Sequence, residues 1–230
     1  MNEQAKHGLS RRDFLKNAGL IVGGAAVSSV AFLNACNSSN TTTAATTSTG
    51  ASDIFLFFSP PETATIKAAF GRLFPGSAAD PGAIEAKAYI YLDRALMGAY
   101  AGLQETYRNG LAAMDAYSQG QFKANFVNLT ATQMDSVLTD MQSGKAAGFT
   151  FPAAAAFFGL LMKHVGEGMF CDPVYGGNYN LVGWKLLGYP GSQTGYTNAQ
   201  MTIGFDQATV PIKTLADVEA EVMPQPTSGF

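Results

Sequence analysis

The chain of 230 residues carries 14 basic and 17 acidic side chains, with 47% apolar and only 13% charged residues. A charged fraction about half the globular norm excludes a highly charged disordered chain. A net charge of −3 excludes a general phosphate-backbone binder, which needs a basic surface. Two cysteines and two histidines cannot staple a disulfide scaffold or build a multi-histidine metal site.

Residues 1–36 read as an address. Ser10-Arg11-Arg12-Asp13-Phe14-Leu15-Lys16 is followed by an apolar run from Ala18 to Leu33 that glycine and serine interrupt. Paired arginines, a Phe-Leu step and a mildly apolar segment resemble a twin-arginine export signal. The run is too short and glycine-rich for a membrane span, which needs roughly 20 apolar residues. At its end, Leu33-Asn34-Ala35-Cys36 resembles a lipobox, which makes Cys36 a lipidation candidate; the alternative is ordinary cleavage nearby and release of a soluble protein.

Residues 37–53 are Ser/Thr-rich and carry too little apolar surface to offset their ordering entropy, so they read as a flexible tether. Such a tether would give the folded part a reach of roughly 20–24 Å. The leader holds four basic residues (Lys6, Arg11, Arg12, Lys16) and two acidic ones (Glu3, Asp13), which leaves ten basic and fifteen acidic, net −5, after its removal. That balance gives no electrostatic reason to bind nucleic acid or anionic lipid, so membrane association would come through lipid or a partner.

Residues 54–191 predict a single, mostly α domain. Ser59-Pro60-Pro61-Glu62 supplies a hydroxyl cap, prolines where the amide is unused and a glutamate three residues on. Ile66, Phe70 and Leu73 follow at helical spacing until Pro75-Gly76. Asp80-Pro81 predicts a second helix to about Leu96. Leu103, Tyr107, Leu111 and Met114 mark a third from Ala99 to Ser118, with Gly120 as its stop. Thr130 and Gln133 form another capping box before Met134, Leu138 and Met141, closed by Gly144, and the apolar stretch from Pro152 to Val165 predicts a central helix covered on most sides. No segment alternates with a two-residue period. Residues 192–230 turn polar and read as an irregular arm ending in Pro224-Gln225-Pro226.

The densest motif is residues 170–191, with the only tryptophan, three tyrosines and a run of glycines: an ordered, specifically shaped loop. Asp172 before Pro173 suits an Asx turn, and Trp184 needs a partner for its N–H if buried. The stretch Asp172-Pro173-Val174-Tyr175-Gly176-Gly177-Asn178, then Gly183-Trp184-Lys185, then Gly188-Tyr189-Pro190-Gly191, behind a twin-arginine signal, resembles the gluconate 2-dehydrogenase subunit 3 family. The resemblance covers about residues 54–191, and its specific part is 168–191.

It implies a non-catalytic small subunit that accompanies a large FAD-dependent dehydrogenase of the glucose–methanol–choline type, often with a cytochrome c subunit, and serves its export or maturation. The cofactors, FAD and haem c, would belong to those partners. The sequence agrees from another side. Gly166-x-Gly168-x-x-Cys171 lacks the third glycine of a dinucleotide fingerprint and follows a helix, C-x-x-C-H is absent, and no cysteine cluster could hold iron–sulfur. A folded-protein export signal on such a chain suggests an escort carried by the twin-arginine translocase with its passenger.

An enzyme reading would make His164 a base, Glu167 an acid and Asp172 an orienting group. A single His-x-x-Glu does not make a di-metal carboxylate site, and a histidine near a helix end commonly serves the helix dipole. The expectation is therefore no catalytic and no metal residue in this chain. Cys171, the sole thiol of the domain if Cys36 is lipidated or removed, is either a buried, unreactive side chain or an intersubunit disulfide partner. The runner-up function is a free-standing exported lipoprotein that binds a small ligand or the envelope through the same loop.

Overall fold

The computed structural model describes residues 53–77 and 79–223. The export motif from Ser10 to Lys16, the lipidation candidate Cys36, the tether up to residue 52 and the terminal Pro224-Gln225-Pro226 lie outside the described residues.

Helices form where the sequence supplies caps and stripes. Helix α1, Pro60–Leu73, begins at Ser59, whose amide and hydroxyl both donate to Glu62 Oε2 at 2.9 and 2.6 Å. Ile66, Ala69, Phe70 and Leu73 give it one buried face. The element expected from Pro81 to Leu96 is shorter: residues 83–87 form turns, Lys87 takes a left-handed φ of 52°, and helix α2 spans Ala88–Met97. Tertiary contact overrides the local signal here. The Ala83 amide donates to the Phe74 carbonyl at 2.9 Å, which fastens this stretch to the end of α1, and within the stretch the Gly82 amide donates to Glu85 at 2.7 Å.

Helix α3, Gln104–Phe122, follows a single 3-10 turn at Ala101–Leu103 and runs through Gly120, ending at Lys123 with φ 61°. Gly120 was expected to stop it. Glycine at an open helix position costs only about 1 kcal/mol, which neighbouring packing outweighs. Helix α4, Ala131–Gln142, has the expected box: the Gln133 amide donates to Thr130 Oγ1 at 3.4 Å, and the Thr130 amide to Gln133 Oε1 at 2.9 Å. Gly144, at φ 71°, follows its end.

Helix α5, Ala154–Phe170, is the centre of the molecule and touches α1 to α4 and the later α6. Phe157, Leu161, Val165 and Met169 are wholly buried. It continues past Val165, through Gly166 and Gly168, so His164 lies within the helix and not at its carbonyl end. Two short helices escaped the sequence reading: α6, Val182–Leu187, inside the glycine-rich loop, and α7, Leu215–Val222, in the arm. The arm is therefore not wholly irregular. Its capping box, Thr214 with Asp217, uses aspartate in place of the usual glutamate. No strand occurs among the described residues; one parallel bridge pairs Gly191 with Lys213. The fold is mostly α.

The N-terminal end of the described chain is bolted down by two carboxylates. Asp93 is 0% exposed and accepts from the amides of Leu56 (2.6 Å), Phe57 (3.0 Å) and Phe58 (2.9 Å). Asp53 accepts from Lys67, Lys87 and Tyr89 at 3.2, 2.8 and 2.6 Å. Burial alone would raise the Asp53 pKa, but those three donors outweigh it and bring it to about 2.

Candidate functional site

The signature residues separate into an inner and an outer set. Asn178 is fully buried at φ 46°. Its amide donates to the Gly168 carbonyl (2.8 Å), its side-chain nitrogen to the Cys171 carbonyl (2.9 Å), and its Oδ1 accepts from the Gly183 amide (2.8 Å). One side chain thus joins the end of α5 to the start of α6. Gly177 and Gly183 allow that junction, because a Cβ at either would overlap the carbonyl oxygen of Gly168 or Met169. The chain then passes Asn180 and Leu181 at φ 55° and 60°, conformations a non-glycine residue adopts only when its surroundings hold it there.

Asp172 forms the expected Asx turn: Oδ1 accepts from the Val174 amide at 3.1 Å. Its Oδ2 accepts from the Leu215 amide at 2.7 Å, which ties α7 to the loop. Pro173 opens a 3-10 turn over Pro173–Tyr175, closed by Gly176 at φ 97°. Trp184 is 3% exposed and donates to the Phe170 carbonyl at 2.8 Å, with Tyr189 packed edge-on at 5.4 Å. Gly188 caps α6 at φ 63°, and buried Pro190 accepts from the Lys213 amide at 3.0 Å. Outward stand Val174 (59% exposed), Tyr175 (55%), Tyr179 and Lys185, the last donating to the Asn180 carbonyl at 2.9 Å. The Tyr179 amide donates to the Ala86 carbonyl at 3.0 Å, and Lys87 lies over its ring at 4.6 Å.

Between the Pro173–Tyr175 turn and helices α2 and α5 lies an open cleft of about 870 Å³, mainly apolar, walled by Tyr91, Ala95, Glu167, Phe170, Val174 and Tyr175. Arg94, Cys171 and Asp172 also reach it. Glu167 accepts from Tyr91 (2.9 Å) and Tyr100 (3.1 Å), with Lys163 at 3.7 Å. Burial, helped by the Glu167 charge, pushes the Tyr91 and Tyr100 phenols above their ordinary range.

His164 does not join Glu167 and Asp172 at this cleft. It is fully buried behind the wall, its ring tilted 37° to that of Tyr100 at 4.6 Å, with the Tyr107 hydroxyl 2.6 Å from Nδ1. Tyr107 is equally buried and needs an acceptor, so the phenol donates and Nε2 carries the proton. That Nε2 has no hydrogen-bond partner, and Glu167 stands 4.0 Å away. Burial, with Lys163 nearby, lowers the His164 pKa to about 4. Both Asp172 oxygens are occupied by backbone amides, and of the three residues of the enzyme reading only His164 and Glu167 lie near each other, 4.0 Å apart. Cys171 is half-buried at the cleft wall, its Sγ 3.8 Å from the Gly168 carbonyl, and burial pushes its thiol up to about 11.

Sequence reasoning missed Tyr91 and Arg94 on α2, Tyr100 just after it, and Asp93. Asp93 had a signal: an acidic residue on the buried stripe of Tyr89, Ile90, Leu92 and Leu96. No group of three or more His, Cys, Asp or Glu side chains placed to hold a metal ion occurs among the described residues, and no helix among them is long and apolar enough to cross a membrane.

Comparison with known proteins adds one finding. The family described as Gluconate 2-dehydrogenase subunit 3 matches residues 60–191, more than half of the chain, from the first residue of α1 to the glycine that closes the signature. No curated protein and no solved structure matches.

Proposed function

The chain belongs to the gluconate 2-dehydrogenase subunit 3 family, and from that premise we propose that it is the non-catalytic small subunit that binds, matures and co-exports a large FAD-dependent dehydrogenase. The large subunit would be of the glucose–methanol–choline type and oxidise gluconate or a related sugar or polyol. Hydride transfer to FAD would take place there, with electrons passing on to an acceptor such as a cytochrome c subunit. This chain supplies the twin-arginine address at Arg11 and Arg12. The assembled complex works in the periplasm or cell envelope, held at the membrane through lipid on Cys36 or through its partners.

The observation that carries the reading is the division of labour within the signature. Asp172, Gly177, Asn178, Gly183 and Trp184 face inward and fix the loop, and that loop holds Val174, Tyr175 and Tyr179 out in solvent. Large apolar side chains presented on a rigid base suit a permanent protein interface, where aromatic anchors supply most of the affinity.

Arg11→Lys with Arg12→Lys in the native host tests it. Both this chain and the flavoprotein should stay in the cytoplasm, followed by immunoblot and flavin absorbance of the fractions. A flavoprotein that reaches the envelope at normal levels in that strain would refute co-export. Recovery of the tagged wild-type chain from the envelope with no flavoprotein attached would favour the free-standing lipoprotein.

A further inference from the structure

The cleft beside the signature turn has an apolar wall and one unmatched charge. Among the described residues, Arg72 pairs with Asp135 at 2.7 Å and Arg108 with Glu62 at 3.1 Å, whereas Arg94 has no carboxylate within salt-bridge distance. Arg94 is exposed on the turn of α2 that Ala95 and Gly98 follow into the cleft, and it packs against Gly176 at the end of the signature turn. The acidic groups of the same cleft are already served. Glu167 is held by two phenols with Lys163 alongside, and Asp172 by two amides. Among the described residues, Arg94 is thus the one basic side chain lining the cleft and has no carboxylate beside it, next to an apolar hollow rimmed by Val174 and Tyr175.

We propose that this cleft seats an aliphatic or aromatic side chain of the flavoprotein subunit, with an aspartate or glutamate beside it on that partner to meet Arg94. The inference rests on the subunit reading above and deepens it by naming the contact. Tyr175, Val174, Phe170 and Tyr91 give the anchor apolar and aromatic walls to displace water against, and Arg94 fixes its register. A guanidinium that docking removes from water needs a carboxylate in return, because an unpaired charge there would oppose association. A hollow bounded on one side by half-exposed apolar side chains matches the central pockets where binding energy concentrates.

The test uses the tagged full-length chain expressed in its native host and purified with its complex, read as bound FAD per chain and by mass spectrometry of the co-purifying protein. Wild-type chain should bring the flavoprotein with it; if it does not, the subunit reading falls and this inference with it. Ala95→Trp, which fills the cleft, should reduce recovered FAD at least about tenfold, while Ser136→Trp on the exposed face of α4 should leave it unchanged. Arg94→Glu should also reduce it, and more steeply as salt is lowered, since the repulsion it introduces is screened by salt. Wild-type FAD recovery by a folded Ala95→Trp chain would overturn the proposal and leave the subunit reading standing. Should Ala95→Trp melt early by circular dichroism, the solvent-exposed changes Arg94→Glu and Val174→Asp decide: loss of FAD by both supports the contact, and retention by both removes it.

Discussion

Asp93 offers the sharpest probe of what holds this fold to its N-terminal segment. Its carboxylate is sealed from water and takes three backbone amides, two on Oδ1 and one on Oδ2. Bonds to a charged acceptor contribute about 1.5–3 kcal/mol each, but only the Phe58 amide is fully buried; those of Leu56 and Phe57 can reach water once released. Asp93→Ala should therefore cost about 3–5 kcal/mol, well below three full bonds. Asp93→Asn keeps an oxygen on Phe57 and Phe58 and turns its NH2 toward the Leu56 amide, for a loss of about 2 kcal/mol. Urea unfolding of the folded domain gives both values. Hydrogen exchange should show the amides of residues 56–58 losing protection before any helix does. A loss under about 1 kcal/mol for Asp93→Ala, or equal losses for the two variants, would refute the count of bonds on which the estimate rests.

Three further outcomes follow from the same structure. Gly183→Ala should destabilise by about 2–4 kcal/mol, because its Cβ overlaps the Met169 carbonyl, whereas Gly120→Ala, on an open helix face, should stabilise by about 0.5–1 kcal/mol; thermal melts of the pair check both. His164 titrates near 4 in the fold against 6.5 when unfolded, so the unfolded chain binds the extra proton between those values. Stability should be fully present above pH 6.5 and fall by roughly 3 kcal/mol as pH drops toward 4, a slope that His164→Gln removes in urea titrations run in parallel. Cys171, with its thiol near 11, should carry only about a thousandth of its population as thiolate at pH 8 and react with maleimide correspondingly slowly; alkylation at the rate of free cysteine would contradict its burial.

What the sequence could reveal was what local chemistry decides. Ser59 with Glu62 and Thr130 with Gln133 mark helix starts because their own atoms make the caps, and the stripe of Tyr107, Leu111 and Met114 faces inward because a helix period places it there. The Asx turn at Asp172 was legible for the same reason. Lys87 was not: its left-handed backbone is imposed by the contact of residues 82–83 with the end of α1, and nothing in its neighbours announces that. Helix α6 begins after Leu181, also left-handed, with no capping side chain, and is held by Asn178 from outside. The cleft was beyond reach because Tyr91, Glu167 and Tyr175 meet only after α2, α5 and the loop have docked.

The two aspartates also set practical limits on where the domain can be trimmed. Asp93 and Asp172 both belong to the stretch shared with the family, residues 60–191, yet the amides they satisfy, at 56–58 and 215, lie beyond either limit. A fragment cut to the family's limits would keep both acids but discard all three donors to Asp93 and one of the two to Asp172, leaving one charge stranded in the core and another half-served beneath the signature turn. Expression boundaries should begin no later than Asp53 and extend through Val222, and poor behaviour of a shorter piece would report on missing scaffolding, not on an unstable helical core.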